Sequence, residues 1–107
     1  MITGLGVLGP HGNGKEASWD SLVNGRSGIA PITRFDASNL PTRFAGEVKD
    51  FDPLNILDKR DVRRMDRYAH YAFAATKMAL EDAGIDPEKL EKDRVGVFIG
   101  SGVGGIE

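Results

Sequence analysis

A cluster of basic side chains is the feature of this 107-residue sequence best suited to bind a charged partner. Its arginines recur at spacings of three and four, which places them on one face of a helix. A guanidinium group binds carboxylate or phosphate through paired hydrogen bonds. The cluster therefore predicts either a solvated helix face with local ion pairs or a docking surface for an acidic partner. Its members are Lys59, Arg60, Arg63, Arg64 and Arg67.

Two glycine-rich segments could bind the phosphates of a dinucleotide. Residues 4–9 (GLGVLG) and 100–105 (GSGVGG) both fit G-x-G-x-x-G, a pattern that lets backbone amides approach a pyrophosphate at a helix N-terminus. However, Pro10 and further turn residues delay any helix after the first segment. The simpler interpretation is that these glycines allow positive φ angles and close packing at strand ends. Ser101 lacks the G-x-S-x-G context of a nucleophile, and we expect it to cap a backbone amide.

The remaining composition excludes several classes of site. The chain has no Cys, which rules out a disulfide, Cys-ligated zinc or a Cys nucleophile within these residues. His11 and His70 are too few for a metal cluster, and we expect His70 to be a partly exposed helix residue. A formal charge of -2 argues against bulk nucleic-acid binding. No apolar run approaches the ~20 residues that span a bilayer, so we expect a soluble, cytoplasmic protein without a metal, membrane or nucleic-acid partner.

The first half of the chain is predicted to supply the end of a strand and a short helix. In the helix, Trp19, Leu22 and Val23 recur at i, i+3 and i+4, which predicts an amphipathic face with Trp19 as its core anchor. Residues 26–53 are rich in turn-forming types and predict a loop excursion over the surface. Alternation at 44–48 predicts one short, half-exposed strand within that excursion.

The second half is predicted to supply one long helix and a buried strand. Asp58 is a suitable N-cap and Gly84 a suitable end for the helix. Alanines recur along it, so another element can approach closely; they lie at 69, 72, 74, 75, 79 and 83. Residues 95–99 (VGVFI) carry no polar side chain, which predicts a strand covered on both faces of a sheet. The order strand, helix, loop excursion, long helix, strand indicates an α/β fold with a parallel strand pair.

Taken together, these segments resemble the β-ketoacyl-acyl carrier protein synthases, the condensing enzymes of fatty acid synthesis, and most closely their type II members. The resemblance covers essentially all 107 residues. It implies the N-terminal part of a thiolase-like fold with five αβαβα layers, and hence that residues 1–107 are an N-terminal fragment of a β-ketoacyl synthase N-terminal domain. The matching segments are ITGLGVLGPHGNG, SWDSLVNGRSGI, ITRFDASNLPTRFAGEVKDFDP, RRMDRYAHYAFAATKMALEDAG and RVGVFIGSGVGG.

The resemblance also implies a reaction and residue roles. Such enzymes condense an acyl thioester with malonyl-acyl carrier protein, release CO2, and need no organic cofactor; they are usually homodimers. Arg60, Arg63 and Arg64 match the basic positions with which they engage the acidic acyl carrier protein. Val103 matches an apolar position beside the acyl-chain pocket, where it would shape chain-length preference.

The catalytic residues of the family match nothing in this chain. Its Cys nucleophile and two His residues lie downstream, and neither His11 nor His70 matches them, so the 107 residues are expected to be inactive by themselves. Two alternatives stay open. One is a ketosynthase domain of a polyketide synthase, and the other is a non-catalytic module that binds carrier protein or nucleotide.

Overall fold

The computed structural model describes residues 1–105, which form two compact units. One unit is Val7–Phe51, and the other joins Met1–Gly6 to the chain from Asp52 onward. No helix within the described range combines the length and the apolar character that crossing a membrane would need.

The unit Val7–Phe51 contains one helix and two antiparallel strand pairs. The helix Lys15–Val23 and the strand Phe44–Gly46 confirm the predicted short helix and the predicted strand in the excursion. The strand that pairs with Phe44–Gly46 was not predicted from the sequence. The elements are β1 (Leu8–Gly9), paired with β2 (Gly12–Asn13); α1 (Lys15–Val23); and β3 (Ile29–Pro31), paired with β4 (Phe44–Gly46).

Helix α1 buries small polar side chains and exposes its large apolar ones. Ser18 is 4% exposed, and its hydroxyl donates a hydrogen bond to the Gly12 carbonyl at 3.1 Å. Trp19 is 68% exposed, so the prediction that it anchors the core is wrong for this chain. Within residues 1–105 the face of α1 that Trp19 shares with Leu22 and Val23 stays exposed. The hairpin packs instead on the side of Ser18, where a Cβ on Gly12 would lie 3.0 Å from the Ala17 Cβ. Only small side chains fit that interface.

The carboxylate of Glu47 orders the turn that follows β3. It accepts hydrogen bonds from the Thr33 hydroxyl at 2.7 Å, from the Thr33 amide at 3.2 Å and from the Arg34 amide at 3.3 Å. These bonds, led by the one from the Thr33 hydroxyl, lower the pKa of Glu47 below its ordinary value because they favour the charged form. The ionised carboxylate therefore ties the turn to the end of β4.

The second unit contains two helices where the sequence predicted one. They are α2 (Lys59–Arg64) and α3 (Arg67–Ala83). Between them Met65 is extended, with φ -114° and ψ 143°, and the Asp66 carbonyl accepts the first amide bonds of α3. The prediction of a continuous helix is therefore wrong at Met65 and Asp66. Asp favours helix starts over helix interiors, and here it begins a new helix.

The predicted ends of this helical region are confirmed. The Asp58 carboxylate accepts a hydrogen bond from the Asp61 amide at 2.8 Å, as an N-cap does. Gly84 ends α3 in the left-handed region with φ 65°. Short 3₁₀ turns at Pro53–Asn55, Pro87–Lys89 and Lys92–Arg94 complete the unit.

The start of the chain packs against the alanine-rich side of α3. A Cβ on Gly4 would overlap the carbonyl of Ala79, and a Cβ on Gly6 would overlap that of Ala75. Between these glycines, the Leu5 amide donates to the Asp82 carboxylate at 2.9 Å. The predicted close approach of another element to the helix is confirmed, and the first glycine-rich segment is used for packing.

Residues 95–99 lie outside any strand, so the predicted buried strand is wrong for this chain. Phe98 is 96% exposed and Val97 is 75% exposed. Within residues 1–105 both sheets have two short antiparallel strands, and the predicted parallel pair is absent. A strand buried on both faces needs neighbouring strands and two covering layers, which these residues do not supply.

Candidate functional site

The basic cluster lies on α2 and at the start of α3. Arg60, Arg63 and Arg64 are exposed on α2, and Arg67 is the exposed first residue of α3. The prediction that all four arginines share one helical face is wrong, because the helix breaks before Arg67. Three of them still share a face, at i, i+3 and i+4 on α2.

Caps and neighbouring elements hold α2 in place. A six-residue helix is too short to be stable by itself. Its first turn is capped by Asp58, and the preceding 3₁₀ turn is capped by Asp52, whose carboxylate accepts from the Leu54 amide at 2.9 Å. Both α2 and α3 contact that 3₁₀ turn. The direction in which the arginines point therefore depends on these contacts.

Positive charge dominates the α2 surface. Residues 58–67 contain five basic and three acidic side chains. Arg60 lies beside Asp61, with Nε 3.8 Å from Oδ1, a long and largely exposed pair that contributes little. No ion pair within residues 1–105 involves Arg63 or Arg64. Both guanidinium groups are therefore available to the carboxylates of a partner.

His70 is buried, so the prediction that it is partly exposed is wrong. It is 8% exposed, and its Nε2 lies 3.2 Å from the carbonyl oxygen of Val62 on α2. The side chain thus links the first turn of α3 to α2. Sequence reasoning missed this role because it treated the two helices as one.

The second glycine-rich segment forms an exposed turn. The Ser101 hydroxyl accepts a hydrogen bond from the Gly104 amide at 2.9 Å, which confirms the predicted backbone cap. Val103, the predicted pocket residue, is 76% exposed. The turn ends beside the start of α3, since a Cβ on Gly105 would overlap the Asp66 carboxylate. The part of the chain that is described offers no group of three or more His, Cys, Asp or Glu that could hold a metal ion.

Comparison with known proteins matches the chain to one family. The family model described as "Beta-ketoacyl synthase, N-terminal domain" matches residues 1–107. The 3-oxoacyl-[acyl-carrier-protein] synthase 2 of Synechocystis sp. is 48% identical over 107 residues, covering 100% of this chain and 26% of that protein. The synthase 2 of Coxiella burnetii is 47% identical over 106 residues, covering 99% and 26%, and that of Staphylococcus aureus is 43% identical over 107 residues, covering 100% and 27%.

A solved structure has the same fold. It is titled "The ishigamide ketosynthase/chain length factor" and superimposes with a TM-score of 0.75 at 40% identity, covering 83% of this chain and 22% of that one. This confirms the α/β, thiolase-like fold class expected from the resemblance. The chain spans about a quarter of the length of the curated relatives it matches.

Proposed function

The chain belongs to the β-ketoacyl synthase family, whose N-terminal domain it matches from residue 1 to residue 107, and we propose that it is part of a 3-oxoacyl-[acyl-carrier-protein] synthase of fatty acid biosynthesis. That synthase would condense an acyl thioester with malonyl-acyl carrier protein, giving 3-oxoacyl-acyl carrier protein, CO2 and the free thiol of the acyl donor. The observation that carries the proposal is the exposed arginine face of α2 within a domain of this family.

The arginines of α2 would dock the carrier protein. Arg63 and Arg64 are exposed and form none of the ion pairs described within residues 1–105, so binding an acidic surface breaks no ion pair of theirs. Arg60 would exchange its long contact with Asp61 for a partner carboxylate. Bidentate bonds from guanidinium to carboxylate would then orient the carrier protein.

The condensation chemistry would need residues beyond these 107. A Cys nucleophile takes the acyl group as a thioester in the mechanism that the resemblance implies, and this chain contains no Cys. We therefore propose that residues 1–107 act as the N-terminal part of a larger synthase, a cytoplasmic homodimer that needs no organic cofactor. The isolated chain would supply docking and pocket residues without turnover.

A ketosynthase of another pathway is the second candidate. The solved relative titled as an ishigamide ketosynthase/chain length factor supports it at 40% identity. The curated relatives compared above are all named 3-oxoacyl-[acyl-carrier-protein] synthase 2 and reach 48% identity, which favours fatty acid synthesis.

Calorimetric titration of the 107-residue chain with acyl carrier protein tests the docking proposal. We expect saturable binding that weakens as salt is raised, because charges on an exposed surface are screened. An unrelated acidic protein of similar size and net charge is the control and should bind far more weakly. Absence of binding at low ionic strength would contradict the proposal.

Val103 would limit the length of the acyl chain. We propose to replace the matching quarter of the Synechocystis relative with residues 1–107, which gives a chimeric synthase. Because one methylene in such a pocket is worth about 1–3 kcal/mol, Val103→Phe should lower kcat/KM for the longest acyl substrates by about tenfold or more relative to short ones. Steady-state kinetics over a series of acyl chain lengths measures this ratio.

Val23→Phe provides the matched control for this prediction. It makes the same change at an exposed position of α1, where Val23 is 64% exposed. Its chain-length profile should equal that of the unsubstituted chimera. Equal chain-length profiles for Val103→Phe and Val23→Phe would show that Val103 does not line the acyl-chain pocket.

A further inference from the structure

His70 is a buried side chain that the docking proposal does not yet use. It lies in the first turn of α3 and is 8% exposed. Its Nε2 is 3.2 Å from the Val62 carbonyl oxygen. Because a carbonyl oxygen only accepts hydrogen bonds, Nε2 carries the hydrogen in this contact.

The Val62 carbonyl needs a donor from outside its own helix. In an unbroken helix it would accept the amide of Asp66, four residues further along. The helical hydrogen bonds of α2 end with the Met65 amide, which donates to the Asp61 carbonyl at 3.1 Å. The extended backbone of Met65 then turns the chain away from the helix axis. His70 supplies the donor that this break removes.

This hydrogen bond acts at the end of α2 that carries two of the three docking arginines. Arg63 and Arg64 are the two residues that follow Val62 and the last two of the helix. The last turn of a six-residue helix is not stable without contacts from outside the helix. Unpaired carbonyls at a helix end favour fraying of that turn. The direction of both guanidinium groups therefore depends on what holds the Val62 carbonyl.

We propose that His70 is a positioning residue for carrier-protein docking, which it serves by capping the C-terminal end of α2 through its Nε2–H. This inference rests on the proposed function, because it takes the carrier protein to be the partner that Arg63 and Arg64 bind. The side chain does not contact the partner. By holding the end of the helix, it limits the conformations of Arg63 and Arg64 in the free chain. Less conformational entropy is then lost when the partner binds.

Carrier-protein titration of three variants of the 107-residue chain tests the proposal. His70→Met fills the space without a donor and should raise the Kd about threefold to tenfold, the range expected for one hydrogen bond. His70→Gln places an amide N–H near the position of Nε2 and should restore the Kd to within about twofold. Thr76→Val removes a different side-chain hydrogen bond, from the Thr76 hydroxyl to the Ala72 carbonyl within α3 at 2.8 Å. This control variant should leave the Kd unchanged.

Nuclear magnetic resonance of the free chain gives a second measurement that needs no partner. The ring nitrogen shifts of His70 should show a hydrogen on Nε2, and the amides of Arg64 and Met65 should exchange faster in His70→Met than in Thr76→Val. A Kd for His70→Met equal to the wild-type value, or an Nε2 without hydrogen, would overturn the role of His70. If the wild-type chain does not bind carrier protein but the ring nitrogen shifts and amide exchange are as expected, the proposed function is refuted. The cap of α2 by His70 would then still stand.

Discussion

Replacing both Arg63 and Arg64 with glutamate should weaken binding of the acyl carrier protein by about 100-fold or more. Each substitution removes an attraction to an acidic partner and adds a repulsion at the same point, and like charges across an interface cost several kcal/mol. Both side chains are exposed and form none of the ion pairs described within residues 1–105, so the fold should tolerate the change. Calorimetric titration of the variant at low ionic strength measures the loss.

A double variant of equal charge separates docking from bulk electrostatics. Lys77→Glu combined with Lys92→Glu changes the net charge by the same amount at two exposed positions of the same unit. It should weaken binding only severalfold through the long-range field, which salt screens. If this control loses as much affinity as Arg63→Glu with Arg64→Glu, the α2 surface is not the docking site.

Substituting Gly6 with Ala should lower the free energy of unfolding by about 3 kcal/mol. The added Cβ would overlap the carbonyl of Ala75 and crowd the amide of Ala79. These are backbone atoms of α3, which cannot move aside without disturbing the helix. Urea unfolding followed by circular dichroism at 222 nm, where α-helix dominates the signal, measures the loss.

Gly100→Ala is the matched control for this substitution. A Cβ on Gly100 would meet no atom within 4 Å, and the residue does not adopt a positive φ. It should change the free energy of unfolding by no more than about 0.5 kcal/mol. Equal stability of Gly6→Ala and Gly100→Ala would show that the start of the chain does not pack on α3.

Local signals in the sequence predicted the two outer ends of the helical region and the cap in the turn at Ser101. Asp58 caps α2 and Gly84 ends α3, because capping depends on a few neighbouring residues. The hydroxyl of Ser101 caps its turn for the same reason. The alanine spacing of α3 predicted close packing, although it did not identify Gly4 and Gly6 as the residues that approach.

Non-local contacts account for most of what the sequence did not predict. The exposure of Trp19 depends on which face of α1 the hairpin packs against, and that face is the one with Ser18. Residues 95–99 have the composition of a buried strand, but composition does not state which strands are available to pair with them. The arginines of α2 were predicted as a cluster from their charge and spacing. Their arrangement depends on the helix break at Met65 and on the contact of His70 with α2. Asp66 itself was the local signal for that break.

Condensation by the chimeric synthase tests the central claim most directly. With acyl and malonyl thioesters of the carrier protein, the chimera should release 3-oxoacyl-acyl carrier protein, because the Synechocystis portion supplies the rest of the synthase and residues 1–107 supply the docking and pocket residues. The isolated 107-residue chain, which has no Cys, should give no product in the same assay. A chimera that unfolds cooperatively, and so is folded, yet forms no product would contradict the account.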